Sequence, residues 1–337
     1  MTQLSEAGAT PTQVARPPSR ITRSRSRSRG FGALAVLLIM VVACSLPVWG
    51  LDSYTISIAY TVAFYAAVAQ SWNLMSGFTG YISFAHGALV GVGSYAGILA
   101  MNAGGGLLLA VLAGAATAVV ASLLIGLPSL RLRGIAFAFA TIFFQSAVLI
   151  AVQKADPLTG GSKGLAAEQI MPLEELLVAM VVIAGTATLA VHLLRRSRLG
   201  LRLLSIREDE TAAKAIGIGT VRLKLGAFAT SALFAGAAGA VHAFFLATVF
   251  PQNVFNLQSS LEPLVLALIG GAASAAGPVV MAVIYGISQE ALQGLGSELH
   301  LAMLGSILVL AVLFARNGLA GLVTSWRERR RGKGDVT

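Results

Sequence analysis

Charge is scarce in this chain, and acids are scarcer than bases. Asp, Glu, Lys and Arg make up 11% of 337 residues, with 14 acidic side chains against 24 basic ones. A soluble globular domain carries about 25% charged residues, so that class is excluded. The single cysteine, Cys44, rules out an internal disulfide, a C-x-x-C redox motif and a cysteine metal cluster. No G-x-x-x-x-G-K-[ST] phosphate loop occurs, so the chain is read as a non-enzyme that hydrolyses no ATP itself. Ion-coupled carriers commonly keep acids in mid-membrane to hold the driving ion. Here Glu262 and Glu290, acids within the later apolar segments, both fall near segment ends, where an interface is expected. No metal site and no cofactor bound by this chain is expected.

Apolar sequence fills the space that charge leaves. The chain is 56% hydrophobic, with a mean hydropathy of +0.80. Its apolar blocks reach the roughly 20 residues that a bilayer-crossing helix needs. The fold class is therefore all-α, a polytopic transmembrane helical bundle. Candidate spans run at 31–50, 54–75, 82–101, 107–127, 134–153, 173–194 and 225–249, followed by shorter segments at 261–276, 278–292 and 299–315. The first block, after its basic lead, is too long for a signal-peptide core and lacks a clean A-x-A site, which makes it a retained anchor.

The charges that do exist are placed by side. Arg16 to Arg29 precede the first span, Arg131 and Arg133 sit in one short loop, Arg195 to Lys224 fill another, and Arg327 to Lys333 follow the last span. This is the positive-inside pattern rather than a nucleic-acid face. The Arg-Ser alternation from Arg23 to Arg29 imitates an RNA-binding tail, but an arm beside a first span already has an orienting role. Three regions result: a disordered basic cytoplasmic tail (1–30), a membrane domain (31–316) containing a cytoplasmic loop (195–224), and a second basic cytoplasmic tail (317–337). With both tails in the cytosol the number of crossings must be even. About ten crossings, some short or broken, is the preferred count, and eight plus a re-entrant pair is the alternative. Residues 154–172 then face outward.

Two stretches interrupt the apolar pattern, Gly77 to Gly87 and Gly270 to Pro278. Irregular backbone at membrane depth survives only where protein buries it or a cavity lies beside it, and broken elements in the two halves of a transporter mark its pathway. Path candidates are therefore Asn73, Gly77, Thr79, Gly80, Ser83, His86, Gln145, Gly270 and Gly271. For Asn73, Ser83 and Gln145, as for Gln70, lining a wet path and serving as interhelical hydrogen-bond partners are equally open. His86 and His242 lack a carboxylate in their own segments, so a hydrogen bond between helices fits them better than a proton relay. Small residues four apart (Gly87 and Gly91, Gly93 and Gly97, Ala232, Gly236 and Ala240) read as close helix packing.

The polar island Ser205 to Gly217 is the one capped element between apolar spans. Ser205 and Glu208 are spaced as a capping box. Glu208, Asp209 and Glu210 put negative charge on a first turn, Lys214 lies near the last, and Gly217 supplies a stop. One helix over Ile206 to Ile216 is expected. A helix that short is marginal alone in water and needs a partner surface.

The run Ser71-Trp72-Asn73-Leu74-Met75-Ser76-Gly77-Phe78-Thr79-Gly80-Tyr81-Ile82-Ser83-Phe84-Ala85-His86-Gly87 resembles the N-L-x-x-G-x-T/A-G-x-x-S-x-x-H signature of branched-chain amino-acid ABC importer permeases. Leu130 to Thr141 and Leu158 to Leu165 are similar to the M-type of the two permease subunits. Gly200 to Gly217 resembles the family's coupling loop, and Leu268 to Gly271 with Gly277-Pro278 its late G-G…G-P element. The likeness covers about residues 35–316. It implies a permease subunit that imports leucine, isoleucine and valine by alternating access. It also implies a heterodimeric partner permease, two cytosolic ABC ATPase subunits that bind ATP and magnesium, and an extracytoplasmic substrate-binding protein. Arg207, Glu208, Asp209, Glu210, Ala212, Ala213, Ala215 and Gly217 would be the coupling helix that touches the ATPase. The location implied is the bacterial plasma (inner) membrane, multi-pass, in contact with lipid and not nucleic acid. The urea and short-chain amide importer permease shares nearly all these motifs and stays open as an alternative. A stand-alone secondary carrier is the reading from another class.

Overall fold

The computed structural model describes residues 52–292 and, ahead of them, residues 36, 38–40 and 42–45. Both expected tails, the segment 299–315 and part of the first span lie outside the described residues. Among the described residues from 52 to 292, twelve α-helices follow in order: α1 (Ser53–Trp72), α2 (His86–Asn102), α3 (Leu107–Ser129), α4 (Ile135–Lys154), α5 (Asp156–Thr159), α6 (Leu173–Arg196), α7 (Arg198–Glu208), α8 (Glu210–Ala215), α9 (Thr220–Leu246), α10 (Pro251–Val254), α11 (Leu257–Gly270) and α12 (Gly277–Leu292). Among the described residues, α3, α4, α6 and α9 are long and apolar enough to cross a membrane. The chain is a polytopic helical bundle.

Starts and stops follow local chemistry. Asp52 accepts from the Thr55 backbone N–H and hydroxyl at 3.4 and 2.7 Å, opening α1. The expected span 54–75 does not continue as a plain helix. It widens into a π-helical turn at Asn73–Gly77, and the chain then runs without helix from Gly80, whose φ is +75°, to Ala85. His86 is consequently the first residue of α2 rather than a mid-helix histidine. Further along, α11 and α12 are 14 and 16 residues long and separated by a turn at 271–276, which matches the expectation of short segments.

The bundle has two distinct ends. At one, Arg207 reaches Gly77 and Lys224 reaches Leu130, so the loops expected on one side do meet. At the other, Leu165–Ala166 (β1) pairs antiparallel with Thr248–Val249 (β2), and the Asn102 side chain donates to Ala166 O at 3.2 Å. This two-stranded ribbon is the one departure from an all-helical chain among the described residues. Two residues per strand leave no readable period-2 pattern.

Packing centres on α9, which lies against both α2 and α3, while α1 packs on α6 and α12. The small residues allow this. A methyl group at Gly236 would overlap Gly114 O and Ala118 Cβ, and one at Gly93 would overlap the Gly236 backbone. Gly97 faces Ala240 in the same seam. The backbones of three helices therefore meet with almost no side chain between them, as the four-residue spacing leads one to expect.

The seam yields a comparison within one helix. Gly236→Ala forces backbone apart and should destabilise the protein by about 1–3 kcal/mol. Gly226→Ala, where nothing lies within 4 Å of an added Cβ, should be neutral or stabilise by up to about 1 kcal/mol. Thermal unfolding of both variants in detergent checks this ordering; equal melting temperatures would contradict it.

Candidate functional site

The polar island folds differently from the expected single helix over 206–216. Ser197 accepts from Gly200 N at 3.0 Å and starts α7 at Arg198, so Ser205 is already helix interior and its hydroxyl donates to Arg202 O. Glu208 is the exposed last residue of α7 and caps nothing. The break falls at Asp209, in extended conformation, whose carboxylate accepts from Thr211 N at 2.7 Å and Ala212 N at 3.1 Å. Asp209, expected within a first turn, is instead the N-cap of α8. The stop is as expected: Gly217 has φ +82°, Gly217 N donates to Lys214 O, and Ile218 N donates to Ala213 O.

Glu210, the first residue of α8, is the hub. Its carboxylate accepts from the Tyr81 hydroxyl, from Thr220 Oγ1 at 3.0 Å and from Lys224 Nζ at 3.1 Å, and it pairs with Lys214 Nζ at 2.8 Å. Lys224 is no loop charge: it is the fifth residue of α9, 1% exposed, donates to Leu130 O at 3.2 Å and sits 4.1 Å over the Tyr81 ring. Beside the hub, Arg207 Nη1 donates to Gly77 O at 2.8 Å, a carbonyl in the π-helical turn. Gly80 lies flat against the Arg207 stem, where a Cβ would come 2.9 Å from Cγ. Ile206 and Ala213 are buried beneath, while Glu208, Asp209, Ala212, Ala215 and Gly217 are exposed.

Burial pushes the Glu210 pKa up, but hydrogen bonds from Lys214, Tyr81 and Lys224 outweigh it and bring it down from 4.5 to about 2. A carboxylate with a depressed pKa stabilises the fold above its unfolded value. That contribution is complete above about pH 4.5 and vanishes as the pH falls to about 2.

The path candidates form one connected seam running from this hub. Asn73 Oδ1 accepts from Ala273 N at 2.7 Å and its Nδ2 donates to Ser274 O at 2.8 Å, tying the π-helical turn to the 271–276 turn. Gly77 lies against Ala273 N, and Gly270 against Gly277, so both glycines are required by contact; Gly271 has φ +106°. Thr79 Oγ1 donates to Met75 O, and Ser83 O accepts from Trp72 Nε1 at 3.0 Å. His86 Nε2 lies 2.7 Å from Ser231 Oγ, an interhelical bond to α9. Gln145 Oε1 lies 2.6 Å from Ser260 Oγ, which also accepts from Gly87 N. Asn73, Thr79, Ser83, His86 and Gln145 are all buried. Sequence reasoning missed Tyr81, Lys224, Ser231 and Ser260 as members of this network. Glu262 and Glu290 are half-buried: Tyr285 OH and Gln258 Nε2 contact Glu262, and Thr61 contacts Glu290 at 3.0 Å.

Residues 54–312 match the family described as branched-chain amino acid transport system / permease component. The chain belongs to that family. It is 26% identical over 321 residues to the high-affinity branched-chain amino acid transport system permease protein LivM of Escherichia coli (strain K12), covering 85% of this chain and 74% of the relative. The LivM protein of Salmonella typhimurium is 25% identical with the same coverage. LivH of E. coli K12 is 26% identical over 284 residues, 76% of this chain and 91% of the relative. The M-type assignment of this permease is thus supported over the longer alignment. No solved structure matches.

Removing one partner of a buried ion pair strands the other charge, a loss of about 3–5 kcal/mol. Glu210→Gln should therefore lower the unfolding midpoint of the permease sharply, and adding Lys224→Met should recover most of the loss. A double variant no more stable than Glu210→Gln alone would contradict the pairing.

Proposed function

We propose that this chain is the M-type permease subunit of an ATP-driven importer for branched-chain amino acids, leucine, isoleucine and valine. It works by alternating access, in heterodimer with a second permease, two cytosolic ATPase subunits that carry ATP and magnesium, and an extracytoplasmic binding protein. The membrane is the bacterial plasma (inner) membrane, with both termini cytosolic and about ten crossings. The exposed side of α8, with Arg207 and Glu208 at the end of α7, is the coupling face that meets an ATPase.

One observation carries this reading. The capped polar segment is joined to the broken helix at two points, Arg207 to Gly77 O and Glu210 to the Tyr81 hydroxyl. A push on the exposed side of α8 displaces Arg207 and Glu210, and with them Gly77, Tyr81 and the turn that Asn73 holds. The glycines at 77, 80 and 271 let backbone approach there. The chain supplies no chemistry, only a lever and the elements that the lever moves.

In liposomes holding the full complex, Arg207→Ala and Tyr81→Phe should each lower ATP-dependent leucine uptake at least tenfold, on the order of 1.4 kcal/mol of lost coupling, while all subunits still co-purify. Wild-type uptake in both variants would overturn the lever. Urea uptake without leucine uptake would overturn the substrate.

Sidedness has its own test. In a Cys44→Ser background, cysteine at Ser162 should react with impermeant maleimide on intact cells and cysteine at Ile216 only in inverted vesicles. Both sites are exposed, and they lie in the loops at opposite ends of the bundle. The reverse labelling order would refute the orientation.

A further inference from the structure

A groove of about 420 Å³ opens between the last turns of α6, the helix α7 and the first half of α9. Its walls are apolar, chiefly Leu74, Leu194, Leu203 and Leu223. Among the described residues no acid lines it, and Arg222 is the one cation in its lining, exposed at its rim. The groove is open to the outside of the bundle: Leu193 and Leu199 are 55% and 51% exposed, and an added Cβ at Gly226 would meet nothing within 4 Å.

The surroundings set the chemistry of an occupant. Arg195, Arg198 and Arg202 flank lining residues in the chain, and with Arg222 they form no ion pair or side-chain hydrogen bond among the described residues. Leu199 and Leu201 are exposed on the same short helix as Arg198 and Arg202. Exposed leucine beside unpaired arginine is the composition of a helix lying in a membrane interface. An apolar slot with a guanidinium at its rim complements a ligand that carries both a hydrocarbon chain and an anionic head. Clustered arginines just beyond a membrane helix attract anionic headgroups, and a planar guanidinium binds phosphate oxygens bidentately.

We propose that this groove is a binding site for an anionic phospholipid, with one acyl chain lying along the leucines past Gly226 and the phosphate held by Arg222. The lipid wedges against α7, one helix turn-break away from the coupling helix α8. A site there would make coupling sensitive to the anionic content of the membrane.

The test uses the purified full-length chain and native mass spectrometry, with phosphatidylglycerol and phosphatidylcholine of identical acyl chains as probes. Wild type should retain phosphatidylglycerol in preference to phosphatidylcholine. Arg222→Gln should lower that retention about fivefold, the share of one interfacial arginine. Gly226→Leu places a side chain in the slot and should lower retention of both lipids. Arg131→Gln removes an equal charge from another loop and should change nothing. Equal retention of the two lipids by wild type, wild-type retention in both groove variants, or an equal loss in Arg131→Gln would each overturn the site. So would loss of ATPase co-purification in Arg222→Gln with lipid retention unchanged, which would make the groove a protein contact.

Discussion

Lys224 is a cation almost without access to water, and the arginine-bearing end of the bundle is organised around neutralising it. Its charge is met by Glu210, by the Leu130 carbonyl and by the face of the Tyr81 ring. These partners come from three places outside α9: the start of α8, the end of α3 and the loop after the π-helical turn. A buried ammonium is tolerable only with its partner in place. The position of α8 is therefore fixed by the requirement of a lysine on another helix. This explains how a six-residue helix, far below the length that is stable alone, holds one position.

The same principle governs the interior seam. Where α1 opens into a π-helical turn and the chain runs unwound to Ala85, backbone groups lose their helical partners. In a membrane they have no water to turn to. Side chains take that place: Asn73 for the 273–274 backbone, Thr141 for Phe84 N, and Ser260 for Gly87 N. These polar residues satisfy irregular backbone, and in this conformation their hydrogen-bonding capacity is largely used internally. Rearranging this seam has to exchange these bonds together, which suits a two-state change better than a gradual one.

Much of the scaffold was legible in the sequence. Among the described residues most apolar blocks gave helices within a few residues of their ends, small-residue spacings met as packing seams, and Gly217 took the left-handed stop. The broken stretches at 77–87 and 270–278 were visible through their glycines. What could not be read was pairing at long range. Tyr81 and Glu210 are 129 residues apart, and Arg207 and Gly77 are 130. No local pattern encodes such a contact, so Lys224 read as one more loop charge. The misplaced capping box has a local cause. Ser205 and Asp209 both offer cap chemistry, and only the earlier start of α7 at Ser197 decides between them.

The central claim is that the coupling segment and the broken helix move as one body. Spin labels at Ile82 and Ile216, 44% and 76% exposed, report it through electron–electron distance measurements on the assembled transporter. The Ile82–Ile216 distance should stay constant between the nucleotide-free and ATP-bound states, while the distance from Ile216 to a label at Phe143 on α4 changes. If the Ile82–Ile216 distance changes as much as the Ile216–Phe143 distance, the two elements move independently and the account fails.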